Sequence, residues 1–334
     1  MPRVSIILPS HNEAATIYAT LEAVYTQSFP RAEMEVVIAL AESGDNTRAV
    51  VADFQRSHPE LSVRVVDNAK VVIPSGLNRA IEAAQGEIIV RMDGHANPYP
   101  DYVENCVRAL DEGLGANVGG VWEIRPGAAT WTAEGIAAAA AHPLGAGDAA
   151  YRLNPVAGAV DTVPFGAYRK SLVDEIGPFN ESLLTNEDYE FNVRVRRAGK
   201  VIWLDPRIRS VYFARPTFGA LARQYWRYGF WKWRMLRRYP DTLRWRQGLP
   251  PVFVASVIVL LALSFWMPAR FLLSVELLLY AGVLIAAGLV QAVRRGQPGL
   301  VIGFPISVTT IHFSWGGGFL WSMLSSLLGG HRND

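Results

Sequence analysis

Three clusters in this 334-residue chain have the residue types for charge chemistry. In "IIVRMDGHAN", residues 88 to 97, an aliphatic run ends on Asp93, Gly94 and His95. Residues two apart in an extended segment share a face, so the carboxylate and the imidazole project together. Both ligate divalent cations, and neither suits the end of a strand buried without partners. Taken alone, the triplet is explained more simply by a turn in which Asp93 caps backbone and His95 is solvated. In "TNEDYEFNVRVRRAGK", residues 185 to 200, Glu187 and Asp188 open an amphipathic helical pattern. Acidic residues at a helix start are stabilised by the helix dipole. The alternative is a general base supported by a neighbouring carboxylate. Gln224, Arg227 and Tyr228 share one side of a further helical stretch. Arg227 there suits a bidentate phosphate clamp or a lipid headgroup, and the spacing leaves both open.

The elements that must position these groups alternate between two periodicities. "VSIILP" (4 to 9), "MEVVIAL" (34 to 40), "SVRVVD" (62 to 67) and "GEIIVRMD" (86 to 93) read as strands. Helical patterns lie between them, with Asn46-Thr47 and Ser75 as candidate N-caps. This β–α alternation predicts a mostly parallel sheet covered by helices. Ligands of such sheets bind beyond the carboxyl ends of the strands. "PSHNE", "AESGDNT", "DNAK" and "DGHAN" all fall there, which gathers Pro9, Glu13, Glu42, Asp93 and His95 at one edge.

Beyond about residue 245 the composition changes. Val252–Met267, Phe271–Val293 and Leu300–Leu328 are long apolar runs, close to the roughly 20 residues that a bilayer core needs. Glu276 is charged near the start of the second run, and the third holds His312 and a Gly316-Gly317-Gly318 break that suits a kinked or re-entrant segment. Eight Lys and Arg residues lie between Arg223 and Arg246, whereas the loop after the first run has only Arg270. The positive-inside rule then puts the N-terminal part in the cytoplasm. Just upstream, "LARQYWRYGFWKWRMLRRYP" mixes aromatic and basic residues. That composition suits single-stranded nucleic acid or the headgroup layer; the adjoining apolar runs favour the headgroup layer and no nucleic-acid partner. A net charge of +2 carries no polyelectrolyte signal, and a single cysteine, Cys106, excludes an internal disulfide framework. "MPRVSIILPS" reads as a first strand and not as a signal peptide.

In this order the clusters resemble family 2 glycosyltransferases, nucleotide-sugar enzymes with a GT-A fold, over roughly residues 3 to 240. "VSIILPSHNE" is similar to that family's first strand and P-x-x-N-E turn, "GEIIVRMDGH" to its D-x-D strand, "TNEDYEFNVRVRRAGKVIWLDP" to its E-D helix, and "QYWRY" to its Q-x-x-R-W element. "HPLGAGDAAYR" and "VDTVPFGAYRK" carry a further likeness to succinoglycan-type glucosyltransferases of bacterial exopolysaccharide assembly. The resemblance implies a GT-A catalytic domain at 1–214, basic-aromatic interfacial helices at 215–248 and a transmembrane region of about three helices at 249–334. It implies Asp188 as catalytic base beside Glu187, and Asp93 with His95 as ligands of Mn²⁺ or Mg²⁺. Pro9, Glu13, Glu42, Asp93, Gln224 and Arg227 would hold the nucleotide, and Phe165, Gly166 and Arg169 would lie near the acceptor. Two departures stand out: Leu40-Ala41-Glu42-Ser43 replaces the family's Asp-Asp-Gly-Ser, and His95 replaces the second Asp.

The activity implied is inverting transfer of a hexose, glucose from UDP-glucose, to a polyprenyl-diphosphate-linked sugar. The place implied is a bacterial inner membrane, crossed several times, with a cytoplasmic catalytic domain. Transfer straight to polyprenyl phosphate is the alternative enzyme, and a non-catalytic membrane-bound sugar-nucleotide sensor is the alternative outside enzymes.

Overall fold

The computed structural model describes residues 1–153 and 155–328. Position 154, within the expected catalytic domain, and positions 329–334, at the end of the expected transmembrane region, lie outside the described residues. The chain divides into two compact units, Met1–Glu123 with Asn154–Tyr212, and Ile124–Leu153 with Phe213–Asp334. This division differs from a single break at 214, because residues 124 to 153 group with the C-terminal helices.

The strands are β1 (Val4–Ser10), β2 (Met34–Ala41), β3 (Ser62–Asn68), β4 (Ile88–Arg91), β5 (Asn97–Pro98), β6 (Asn117–Pro126), β7 (Gly158–Val160), β8 (Ala167–Arg169) and β9 (Ile202–Ala214). They form one nine-stranded sheet in the order β3-β2-β1-β4-β8-β6-β9-β5, with β7 beside β9. The helices, numbered along the chain, are α1 (Ile17–Tyr25), α2 (Thr47–Ser57), α3 (Ile73–Ala83), α4 (Tyr102–Asp111), α5 (Trp131–Ala140), α6 (Pro143–Ala146), α7 (Ser171–Ile176), α8 (Glu187–Arg197), α9 (Phe218–Arg238), α10 (Trp245–Ala262), α11 (Met267–Arg295) and α12 (Leu300–Leu328).

In the first unit β3, β2, β1 and β4 are mutually parallel, and β8 runs antiparallel to β4. Every residue of β2 is buried, as expected where helices cover both faces of a parallel sheet. Ile6, Leu8, Val36, Ile38 and Val90 join Phe54 of α2 and Tyr102 of α4 in the core. Each such fully buried side chain contributes about 1.5–3 kcal/mol relative to exposure. In the register, Ser10 pairs with Leu40, and Leu40 with Asp67, so the loops leaving β1, β2 and β3 emerge side by side. The predicted cap at Ser75 is not one: α3 starts at Ile73 with Pro74 in its first turn, where a missing N–H costs no helical bond.

In the second unit, α10 and α11 are long and apolar enough to cross a membrane. Pro250 and Pro251 lie inside α10. Pro251 has no N–H for the Gln247 carbonyl one turn earlier, and the Trp315 indole Nε1 donates to that oxygen instead, at 3.2 Å. α12 is one continuous helix, and the expected break at Gly316–Gly318 is a packing surface. A Cβ on Gly316 would lie 2.6 Å from the Pro250 carbonyl oxygen, and one on Gly318 2.3 Å from that of Trp226. Small residues of this kind let helix backbones approach closely. The same device explains why 124–153 belongs here: a Cβ on Gly135 of α5 would lie 2.5 Å from the Gly303 carbonyl carbon of α12. Several polar groups of the apolar helices are paired. His312 sits 2.8 Å from the Leu144 carbonyl and 3.0 Å from the Tyr280 hydroxyl, and Ser256 donates to Glu276 at 2.9 Å. The basic-aromatic stretch forms α9, which packs on α12; Lys232 is buried and donates to the Thr242 carbonyl at 3.2 Å.

Candidate active site

At the carboxyl edge of the parallel strands, the loop after β1 is tied to the loop after β2. Asn12 turns the chain with φ +55°, its N–H donates to Ser43 Oγ at 3.2 Å, and its side-chain oxygen accepts from Gly44 N at 2.8 Å. The Glu13 N–H donates to Thr47 Oγ1 at 2.8 Å and the Ala14 N–H to Asp45 at 3.0 Å. Pro9, at the end of β1, packs under Gly76 of α3, where a Cβ would meet it at 3.0 Å. Beside these loops a cleft of about 330 Å³ is lined by Glu42, Ser43, Asp45, Arg48, Asp67 and Asn68. Glu42 is therefore at the edge the sequence predicts, on the cleft wall.

The Asp93–His95 turn is held from beneath. Thr20 Oγ1 on α1 lies 3.1 and 3.0 Å from the Gly94 and Ala96 carbonyl oxygens, and the Ala96 N–H donates to the Asp93 carbonyl at 2.9 Å. Gly94 lets the turn approach Glu13 closely: a Cβ there would lie 3.0 Å from the Glu13 side chain. Glu13 in turn reaches His95 Nδ1 at 3.1 Å and accepts from Thr16 Oγ1 at 2.6 Å. Burial pushes the Glu13 carboxyl up, but the hydrogen bonds of His95 and Thr16 outweigh it, and the group is held below the usual carboxylate range. Asp93 and His95 keep partial exposure, at 25 % and 53 %. Among the described residues, no group of three or more His, Cys, Asp and Glu gathers as a closed metal cage.

The other wall comes from α8. Asn186 adopts a left-handed conformation at φ +67° and starts the helix, whose first turn is acidic and last turn basic, in accord with its dipole. Glu187 is buried, and Asp188 beside it is half-buried. Arg91 closes the arrangement: its Nη2 lies 2.8 Å from Glu187 Oε1 and 3.4 Å from Asp93 Oδ1. Burial works against the guanidinium charge, yet Asp93, Glu187 and Asp188 outweigh it and hold Arg91 protonated. Burial pushes the Glu187 carboxyl up, with Arg91 opposing and Asp188 reinforcing the shift. Arg91 lies outside the Asp93–His95 triplet, although its spacing of two from Asp93 at the end of an aliphatic strand is a usable signal.

Phe165 and Gly166 lie at the same edge. Both have positive φ, +61° and +89°, and the Gly166 carbonyl accepts from the Arg91 N–H at 3.0 Å. Arg169 does not. β8 runs antiparallel to β4 and pairs Arg169 with Ile88, five residues before Asp93 and thus about 16 Å down the strand. Its guanidinium pairs with Glu87 at 3.4 Å and Asp111 at 3.1 Å, at the opposite edge of the sheet. Gln224 and Arg227 belong to α9 in the second unit, where Gln224 donates to the Tyr228 hydroxyl at 2.9 Å and Arg227 is exposed.

The model of glycosyl transferase family 2 matches residues 5–177, more than half of the chain. The chain belongs to that family. This glycosyltransferase is 26 % identical over 324 residues to the succinoglycan biosynthesis protein ExoA of Rhizobium meliloti, covering 96 % of this chain and 94 % of ExoA. It is 26 % identical over 248 residues to the dolichyl N-acetyl-alpha-D-glucosaminyl phosphate 3-beta-D-2,3-diacetamido-2,3-dideoxy-beta-D-glucuronosyltransferase of Methanococcus voltae, covering 72 % and 76 %. Among solved structures, the mannosyltransferase PcManGT from Pyrobaculum calidifontis, in complex with GDP-Man and Mn²⁺, superposes with a TM-score of 0.58 at 20 % identity, covering 93 % and 87 %. At that identity the likeness concerns the fold, and it agrees with the expected GT-A architecture, a mixed sheet with flanking helices; where about three membrane helices were expected, two of the described helices, α10 and α11, are long and apolar enough to span.

Proposed function

We propose that this glycosyltransferase moves a hexose, with inversion, from a nucleotide sugar to a lipid-linked sugar. The observation that carries the reading is the joining of the Asp93–His95 turn to the Glu187–Asp188 helix start through Arg91, at one sheet edge of a family 2 chain. In this reading the cleft beside Glu42 takes the nucleoside, with Pro9 and Glu13 fixing the loop that borders it. Asp188 accepts the proton of the acceptor hydroxyl while its oxygen bonds to the anomeric carbon and the bond to the diphosphate oxygen breaks. One displacement needs one base and no carboxylate nucleophile, so inversion follows. Phe165 and Gly166 border the acceptor side, and Gln224 and Arg227 are assigned to the diphosphate.

Asp93 and His95 fit a divalent cation: a partly exposed oxygen donor and an exposed nitrogen donor, two residues apart, leave the remaining positions to diphosphate oxygens and water. Mn²⁺ or Mg²⁺ held there would supply positive charge against the departing nucleoside diphosphate. The imidazole inclines the pair toward Mn²⁺. The Mn²⁺ complex of the similarly folded mannosyltransferase supports a metal of this kind.

The acceptor reading draws on relatives named for a dolichyl phosphate-linked sugar and for succinoglycan, and on α10 and α11, which suit an acceptor confined to a bilayer. Glucose from UDP-glucose is the proposed donor, and the proposed place is a bacterial inner membrane with the sheet domain in the cytoplasm. The test is nucleoside diphosphate release by the full chain in detergent with Mn²⁺, across UDP-hexoses and GDP-mannose. The expected result is release that requires both a UDP-hexose and a polyprenyl-diphosphate-linked sugar. Equal turnover with polyprenyl phosphate or with a free sugar would overturn the acceptor assignment.

A further inference from the structure

One guanidinium in the candidate site is placed unlike an ordinary surface pair. Arg91 ends β4 and is 4 % exposed. It faces three carboxylates, those of Asp93, Glu187 and Asp188. Its contacts are unequal: the 2.8 Å contact to buried Glu187 is a close charge-assisted bond, whereas 3.4 Å to Asp93 is long for one. Its backbone is fixed as well, because its N–H bonds to the Gly166 carbonyl at 3.0 Å. Nε and Nη1 are buried and find no hydrogen-bond partner among the described residues. Buried charge with unmet donors is costly and needs an explanation other than stability.

We propose that Arg91 is a positioning residue that couples the two halves of the site. It anchors Glu187, and through it the first turn of α8 that carries Asp188, to the strand that carries Asp93. The loose contact to Asp93 keeps that carboxylate in place while leaving it exchangeable toward a cation. The inference rests on the reading of Asp188 as base and Asp93 as metal side chain. A 1 Å displacement of a reacting group costs on the order of 100-fold in rate, so the anchor has a kinetic signature separate from folding.

The test uses the full chain in detergent and four variants: Arg91→Lys, Arg91→Met, Glu187→Gln and the double variant Arg91→Met/Glu187→Gln. Arg91→Met leaves a buried carboxylate uncompensated, so its thermal midpoint should fall by more than about 5 °C, and adding Glu187→Gln should restore most of that. Turnover should not follow stability. The double variant should remain about 100-fold below wild type, no worse than the poorer single variant, with donor KM and UDP affinity in Mn²⁺ changed less than about threefold. Arg91→Lys keeps the charge but not the planar fork, and should fold as wild type with kcat lowered about tenfold and KM unchanged. Recovery of turnover along with stability in the double variant, or multiplication of the two single losses, would overturn the proposal. So would a wild-type kcat in Arg91→Lys, or an unshifted midpoint in Arg91→Met. If the wild-type chain turns over no nucleotide sugar, the functional reading fails, and the melting arm still decides whether Arg91 anchors Glu187.

Discussion

His95 pairs with Glu13 across 3.1 Å, on a turn where the resemblance expects a second carboxylate. With its proton on Nδ1, a neutral imidazole keeps the Glu13 bond and can ligate a cation through Nε2; a protonated one cannot ligate. Glu13 is held below the usual carboxylate range, so its contribution to stability is fully present above the ordinary Glu pKa. It is lost only as the pH falls through that lowered value. The metal response should weaken as acid protonates the imidazole. Mn²⁺ titration of the wild type should therefore show affinity falling about tenfold or more between about pH 7.5 and pH 5.5, while His95→Asp falls less than about threefold. An identical pH slope in both proteins would remove His95 from the proposed metal site. At this scale the gathering of Glu13, Asp93 and His95 at one sheet edge was legible from their places after the strands, whereas the Arg91 link from Asp93 to Glu187 was not. Arg169 was not legible, since a motif shows which residues are neighbours in the chain but not which way the strand carries them.

Strand direction is the reason. The four parallel strands announced themselves by alternation with helices, and their observed bounds agree with the expected ones to within two residues, the largest difference being β4, which starts at Ile88 and stops at Arg91. β5, β7 and β8 are two or three residues long, too short for any period to register. β8 therefore reversed unannounced and took Arg169 away from the site. Residues 124 to 153 were equally opaque: an alanine-rich helix gives no sign of its partner until the α5–α12 contact is seen. That contact is testable. Gly135→Val would place a branched side chain where even a Cβ lies 2.5 Å from the Gly303 backbone. The expected cost is about 1–3 kcal/mol, read as a lowered thermal midpoint in detergent. An unchanged midpoint would mean that the helices do not cross at this pair.

For the whole molecule, a nucleotide-sugar fold and two apolar helices share one chain. Leu278, Leu279 and Val293 on α11, like Phe265 and Trp266 just before it, are exposed to a degree that water does not favour. The chain should stay with the membrane pellet after an alkaline carbonate wash and leave it only with detergent; release by carbonate alone would contradict spanning helices. Such an anchor matches an acceptor that also stays in the bilayer, so that only the nucleotide sugar has to diffuse to the site. Asp188 is the proposed base at the Asp93–His95 edge. Its most direct measurement is UDP release by Asp188→Asn at saturating donor and lipid-linked acceptor. If Asp188 is the base, turnover falls about 1,000-fold with UDP affinity in Mn²⁺ within about threefold of wild type. Turnover above about a tenth of wild type would contradict it.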